Sequence, residues 1–355
     1  MTTVRSVDPP PSTGDSARAG WAISLQGVRR SRAGNPVLRD IDLEIRSGEI
    51  IAFVGPIGCG ASTLLRAVTG AERPDAGVIT VDGRAGAAAP RIPEVRDRTP
   101  VARFGRVGTS IAAMARRVGR PDAEAEATRL AQVVGLGALD KLVHRLAHGD
   151  RQRWALARAL ATGPGALALD DPLAALPTAA RAETRDRVVH ELRARRVTTL
   201  WVTRDTAEAA AVADRLVVMD RGRVIAAGSP DELYTRVDDA VVAEVLGPVN
   251  AVPGIVDGSI VEVWGREVPL ARPAADGHCE VIVRPENVLV IGSEDPGMDA
   301  VVEATTFLGS ARRSTVRTSD GVQVVVEHPS ELRLDPEDHI RVALAPAPAT
   351  IRPIG

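Results

Sequence analysis

Lysine is almost missing from this 355-residue chain, in which Lys141 stands alone. Cysteine is scarce as well: Cys59 and Cys279 are isolated and have no metal-ligand spacing. That excludes a thiolate cluster and makes reduced thiols of a cytoplasmic protein the expectation. There is no excess of positive charge. The formal net charge is −2, and the arginines are interspersed with carboxylates, which argues against nucleic acid as a partner. No run of about 18 apolar residues occurs, so no segment reads as a spanning helix.

What is present is the composition of an ordinary globular chain, 45% hydrophobic and 25% charged, long enough for two domains. Residues 1–20 hold Pro9, Pro10 and Pro11 among small polar residues and read as a disordered tail. "WAISLQGV" (21–28) and "VLRDIDLEI" (37–45) alternate like half-buried strands. "EIIAFVG" (49–55), "GALALDD" (165–171) and "TTLWVTRD" (198–205) are short continuous apolar runs, as buried parallel strands require. Helical spacing is read at 62–70, 122–134 and 151–162, and the Gly-, Pro- and Arg-rich stretch 85–110 reads as mostly irregular. Beyond about residue 245 short β-rich runs predominate. The fold class expected is therefore α/β followed by an all-β domain, a small barrel.

One stretch carries chemistry. "GPIGCGAST" (55–63) follows a predicted strand and opens a predicted helix. That is the setting of a loop whose main-chain amides cradle phosphate at a helix N-terminus. Gly55, Gly60 and Ser62 fall on the pattern, but Ala61 stands where lysine is required. A lysine lost to compositional pressure alone would be expected to become arginine. Alanine carries no charge at all. The plain alternative for the segment is a tight turn without a ligand.

The downstream order of segments raises the signal. "LAHGDRQRWALARALA" (146–161), "LALDDPLAALP" (167–177) and "LWVTRDTAEAAAVADRLVVMDRGRVIAAGSPDELY" (200–234) resemble the nucleotide-binding subunits of ABC transporters, over about residues 21–245. The tail at 246–355, with "VIVRPENVLV" and "TTFLGSARRSTV", is similar to the TOBE domain of importer subunits. "LGPVNAVPG" (246–254) leans toward the sulfate-type group.

The resemblance implies a P-loop ATPase fold with a helical subdomain at about 100–162, followed by an OB-like TOBE domain. It implies ATP held by Gly55, Pro56, Gly58, Cys59, Gly60, Ala61, Ser62 and Thr63, and Mg²⁺ held by Ser62 and Asp170. It places Asp171 and Arg204 at the catalytic positions, and Leu146, Ala147, His148, Gly149 and Asp150 at the signature. The partners implied are a membrane permease, a second ATP-binding subunit (identical or not) and, indirectly, a solute-binding protein. The place implied is the cytoplasmic face of the membrane.

Set against the family pattern, nearly every side chain that would touch nucleotide has changed. The lysine is Ala61, the adenine-stacking aromatic is Ser31, and no glutamine lies at 104–106. The catalytic glutamate is Asp171, the switch histidine is Arg204, and the loop after Asp171 reads Ala174, Ala175, Leu176, Pro177. Losing a charged hydrogen bond and a stacking ring suggests affinity weaker by about two to four powers of ten. Hydrolysis suffers further, because Asp171 is one methylene short of glutamate. Arg204 either replaces the missing cation at phosphate or pairs, solvated, with Asp205 or Glu208. Asp150 and His148 read as a solvated helix start, Cys59 as inert and Trp154 as core. The functions expected are an importer ATPase subunit with weakened ATP chemistry, a non-catalytic structural or regulatory subunit, or an oxyanion sensor working through the β-rich tail.

Overall fold

A computed structural model of the chain describes residues 20–96, 105–235 and 240–354. The tail expected at 1–20 therefore lies, except for Gly20, outside the described residues. The chain divides into two compact units, Met1–Ala227 and Gly228–Gly355. The division falls before two short helices, α7 (Pro230–Thr235) and α8 (Ala240–Leu246), and not at the 245/246 boundary drawn from composition.

In the first unit the alternating stretches form a sheet of order β2-β1-β4-β5, from β1 (Ile23–Arg32), β2 (Asn35–Ile45), β4 (Ala76–Val81) and β5 (Arg84–Ala85). The continuous apolar runs form a second sheet, from β3 (Ile50–Val54), β6 (Glu94–Arg96), β7 (Ala166–Asp170), β8 (Thr198–Val202), β9 (Arg215–Asp220) and β10 (Arg223–Gly228). Its order is β10-β9-β3-β8-β7-β6. β3 pairs in parallel with β8 and β9, and β7 with β8 and β6. Every residue of β3 and β8 is buried, which is why these runs show no polar alternation. Because β3, β8 and β7 are neighbours running the same way, their carboxyl ends bring three loops to one edge. Open α/β sheets bind ligands at such an edge.

Helix α1 (Ala61–Val68) buries Leu64, Leu65 and Val68 in a core shared with Ile23, Leu25, Ile41, Ile51 and Phe53. α2 (Val107–Arg117), α3 (Ala123–Val133) and α4 (His148–Ala161) pack on one another. Trp154 of α4 is fully buried, as expected, and its Nε1 donates to Ser110 Oγ at 2.7 Å. α5 (Thr178–Ala194) and α6 (Thr206–Val212) follow β7 and β8.

The stretch read as irregular, 85–110, holds β6 and the start of α2. β6 is only three residues long and takes its place by pairing with β7, which local patterning cannot reveal. The buried stripe of α2 is Val107, Ile111, Ala112 and Ala115, two of them alanines, so its period is faint.

The second unit is β-rich, as expected. Its first sheet comprises β11 (Asn250–Asp257), β12 (Ile260–Val263), β13 (Arg266–Pro269), β14 (Gly277–Val283) and β20 (Thr350–Pro353). Its second comprises β15 (Val288–Ile291), β16 (Met298–Phe307), β17 (Ala311–Thr318), β18 (Gln323–Pro329) and β19 (His339–Leu344). The orders are β13-β12-β11-β14-β20 and β15-β19-β16-β17-β18. The barrel expected from the sequence thus takes the form of two five-stranded sheets. Val252, Val281, Val302, Val316, Val326 and Val342 from both sheets join one core.

Candidate functional site

The loop Gly55–Gly60 joins the buried end of β3 to α1, and its glycines are required by geometry. Gly60 caps α1 in the left-handed region at φ +103°, where a Cβ would also lie 2.8 Å from the Val37 carbonyl oxygen. A Cβ on Gly55 would stand 2.1 Å from the Met219 carbonyl oxygen. The loop is thus pressed against backbone from behind. Cys59 N–H closes a turn onto the Pro56 carbonyl at 2.9 Å, and the Cys59 carbonyl accepts from Gly222 N–H at 2.8 Å. The first helical bond runs from Leu64 N–H to the Gly60 carbonyl, so the amides of Ala61, Ser62 and Thr63 have no intrahelical acceptor. Cys59 is buried, and burial pushes its thiol up, in keeping with an inert side chain. Ala61 is 7% exposed and supplies only a methyl group.

Ser62 Oγ donates to Asp170 Oδ1 at 2.9 Å. Two of the residues expected to act together are therefore brought together, one by α1 and one by the end of β7. Burial raises the Asp170 carboxyl, the Ser62 hydrogen bond opposes that, and the charges of Asp171 and Glu94 push it up further.

Asp171 follows in a left-handed conformation, φ +47°. Its N–H donates to the Val202 carbonyl at 2.9 Å, which locks the turn after β7 to the end of β8. Arg204, just past β8, donates from Nε to Asp171 Oδ2 at 3.1 Å and from its backbone N–H to Oδ1 at 3.4 Å. The pairing of Arg204 with Asp205 or Glu208 expected from the sequence is not found. Asp205 caps α6, accepting from Glu208 N–H at 3.0 Å. Glu208 is buried and accepts from Trp201 Nε1 at 2.9 Å. Both acids are engaged on α6, Glu208 inside the core and Asp205 at the exposed helix start, and the guanidinium reaches the neighbouring loop.

One residue of this edge escaped sequence reading. Gln152 of α4 is 1% exposed; its Nε2 donates to the Asp171 carbonyl at 3.1 Å and its Oε1 accepts from Ala175 N–H at 2.9 Å. It thereby fixes the segment after Asp171. The available signal was a lone amide on the apolar face of the α4 pattern.

The signature-position residues lie at the N-terminus of α4. Leu146 is buried, Ala147 is the N-cap without a side-chain cap bond, and Asp150 sits 3.5 Å from Arg153. Asp150 and His148 lie in the first turn of α4, as read. Gly149 is held close: a Cβ there would meet Leu176 Cδ2 at 3.0 Å. Ser31, at the aromatic position, is on β1, and its N–H donates to Asp75 Oδ2 at 2.6 Å. Of the segment expected to hold glutamine, Phe104 lies outside the described residues. Arg106 donates to the Asp140 carbonyl.

The residues present fit the groups the resemblance implies. Three amides without intrahelical acceptors at a helix N-terminus suit a phosphate, and the dipole adds to them. A hydroxyl and a carboxylate 2.9 Å apart are hard oxygen donors of the kind Mg²⁺ takes, usually beside phosphate oxygens.

Comparison with known proteins bears on this arrangement. The sequence profile described as "ABC transporter" matches residues 38–174, and that described as "TOBE domain" matches residues 281–351. The chain is 36% identical over 335 residues to the sn-glycerol-3-phosphate import ATP-binding protein UgpC of Cereibacter sphaeroides, covering 90% of this chain and 94% of that one. It is 34% identical over 320 residues to the sulfate/thiosulfate import ATP-binding protein CysA of Caulobacter vibrioides, covering 84% and 90%. It is also 34% identical over 339 residues to an Fe(3+) ions import ATP-binding protein of Rhodococcus jostii, covering 91% and 96%. Among solved structures, cbiO1 from Clostridium perfringens, part of an ABC transporter complex, superposes with TM-score 0.54 at 24% identity, covering 60% of this chain and 90% of that one. A dimeric ATP-binding cassette bound to ADP and Pi superposes with TM-score 0.53 at 20% identity, covering 59% and 98%. Both share its fold.

Proposed function

This chain belongs to the ABC transporter family, as an importer-type ATP-binding subunit with a TOBE domain, and we propose that it binds Mg·ATP weakly and turns it over slowly. The observation that carries this reading is the Ser62–Asp170 hydrogen bond beside a loop whose glycines are intact and whose lysine position is Ala61. The main-chain amides still offer an anion a seat, while the cation that would hold the outer phosphate is gone. Ser62 and Asp170 would hold Mg²⁺, which neutralises charge on the phosphates when bound. Asp171 stands where a base would orient water, and Arg204 holds its carboxylate.

The subunit sits, in this proposal, at the cytoplasmic face of the membrane, docked on a permease and paired with a second ATP-binding subunit. Among the described residues no helix is long and apolar enough to cross a membrane. In a dimer the signature of one subunit completes the site of the other. Ala147, His148 and Asp150 therefore spoil the partner's half, as Ala61 spoils this chain's own. An intact partner leaves no full-strength site. A sulfate-like oxyanion is the solute class to test first, since two relatives named above import a sulfate and a phosphate ester.

A second reading, a structural or regulatory subunit without turnover, is favoured by the Asp171–Arg204 ion pair, which engages both catalytic-position side chains with each other. Measuring Mg·ATP binding and phosphate release, alone and with the permease, separates the two. Slow release that vanishes in Asp170→Ala supports the enzyme, and weak binding with no release supports the structural subunit. Brisk release with tight binding overturns both.

A further inference from the structure

Asp171 stands in the left-handed region at φ +47°, an unfavourable conformation for a residue that carries a Cβ. It has to be held there from outside. Two bonds do so from opposite ends of the residue. Its N–H is fixed on the Val202 carbonyl at 2.9 Å, and its own carbonyl accepts from Gln152 Nε2 of α4 at 3.1 Å. The bond that Ala174 N–H makes to the same carbonyl is longer, at 3.3 Å. With the peptide groups on both sides of Cα pinned, φ and ψ are set, and with them the direction in which the carboxylate leaves the chain. That direction is onto Arg204 Nε.

Gln152 does this with one planar amide that reaches both ends of the segment, since its Oε1 accepts from Ala175 N–H at 2.9 Å. A donor and an acceptor on one group are needed here. Asparagine is a methylene shorter, an ionised glutamate cannot donate, and lysine and arginine cannot accept. The side chain is 1% exposed, so it acts through Asp171 and not on a nucleotide. Helix α4 presses on the same segment one turn earlier. A Cβ on Gly149 would stand 3.0 Å from Leu176 Cδ2 and 3.1 Å from the Ala175 carbonyl oxygen. The first turn of α4, with His148 and Asp150, is therefore packed with the Asp171 segment as one body.

We propose that Gln152 is the positioning residue of Asp171: it holds the carboxylate at the carboxyl edge and makes its place follow the first turn of α4. The chemistry assigned to Asp171 rests on the nucleotide reading above, and the positioning does not. A misplacement of about 1 Å at a reacting group can cost about a hundredfold in rate. Gln152 touches neither phosphate nor Mg²⁺ in that reading, so it governs the step that Asp171 serves and leaves binding alone.

The test reads amide hydrogen exchange at Asp171 and Ala175 in the nucleotide-free full chain, with the Tm as control. Gln152→Leu should speed exchange at both by about tenfold or more, with the later turns of α4 unmoved. Gln152→Glu keeps the shape and decides the matter if the leucine variant does not fold. Ionised, at about pH 8, it accepts from Ala175 but cannot donate to Asp171. Burial raises its carboxyl, and near pH 5 the protonated group donates again. Protection at Asp171, relative to the wild type at the same pH, should be lost at the higher pH and return at the lower. A side chain that only fills space gives no such return. Gly149→Ala, which crowds the Ala175 carbonyl, should lower protection at Asp171 in the wild type and add nothing in Gln152→Leu.

Where the wild type releases phosphate, Gln152→Leu should slow release about ten- to a hundredfold and leave the Mg·ATP Kd within about twofold. No release from the wild type fails the nucleotide reading, and the exchange results still decide the positioning. Unchanged protection in Gln152→Leu overturns the proposal, as does a Gln152→Glu variant indifferent to pH, or a Kd that worsens as much as release. Additive effects of Gly149→Ala and Gln152→Leu overturn the tie to α4.

Discussion

Arg204 Nε lies 3.1 Å from Asp171 Oδ2, so the second residue after β8 holds the first residue after β7 at the carboxyl edge of the central sheet. In the family pattern a histidine and a glutamate occupy these places and both face the nucleotide. Here they face each other. Arg204 remains 71% exposed at its side chain, so the pair adds little to stability and leaves the guanidinium free to move.

Arg204→Ala is accordingly expected to change unfolding free energy by less than about 1 kcal/mol. Mg·ATP affinity should fall by about tenfold, because a cation is lost and the Asp171 carboxylate is left uncompensated beside phosphate. Calorimetric titration reads the second quantity. Unchanged affinity would remove Arg204 from any role at the phosphates.

Ala61→Lys restores the missing ammonium at the start of α1. Affinity for Mg·ATP should rise about ten- to a hundredfold, with phosphate release almost unmoved. Adding Asp171→Glu and Arg204→His should then raise release. If Ala61→Lys leaves affinity where it was, the loop does not seat phosphate.

Asp170 gives a pH signature. Its carboxyl is raised above the ordinary 3.8, by burial first. The folded state thus holds a proton that the unfolded state releases, and stability contributed here falls as pH rises through the folded value. Asp170→Asn should raise the Tm in Mg²⁺-free buffer more at neutral pH than near pH 3.8. It should also cancel any Mg²⁺-dependent rise in Tm. A lower Tm at neutral pH would contradict the buried-charge account.

Acid unfolding has a different source. Burial pushes the Glu126 carboxyl up, but hydrogen bonds from Arg129 and Arg195 outweigh it and bring it down to about 2 from the usual 4.5. The same two arginines hold Glu191 of α5, tying α3 to α5. A depressed carboxyl stabilises the fold above 4.5 and loses that effect as pH falls toward 2. Thermal melts across this window should steepen in the wild type and flatten in Glu126→Gln.

Gly60→Ala tests the loop itself. At φ +103°, with the Val37 carbonyl 2.8 Å from any Cβ, the substitution should cost about 1–3 kcal/mol and reduce nucleotide binding together. An unaffected Tm would show that the loop is looser than described.

Much of the site could be read from the chain because its parts are local. A strand, a glycine loop and a helix adjoin at 50–68, and the positions of Ser62, Asp170 and Asp171 are set by where buried runs end. Gln152 could not be placed in this way. It looks like one polar residue on a helix until folding sets it against Asp171 and Ala175. β6 was hidden for the same reason, since its pairing partner lies about seventy residues away on β7.

The sequence by itself determined the family, the intact glycines and the loss of charge at Ala61, all properties of identity and spacing along the chain. Tertiary structure alone decided the choice of partner for Arg204. Asp205 was bound to its own helix and Glu208 to Trp201, so the guanidinium met Asp171 across two parallel strands. Competition among acids for one cation is settled by distance in space, and no one-dimensional pattern carries that.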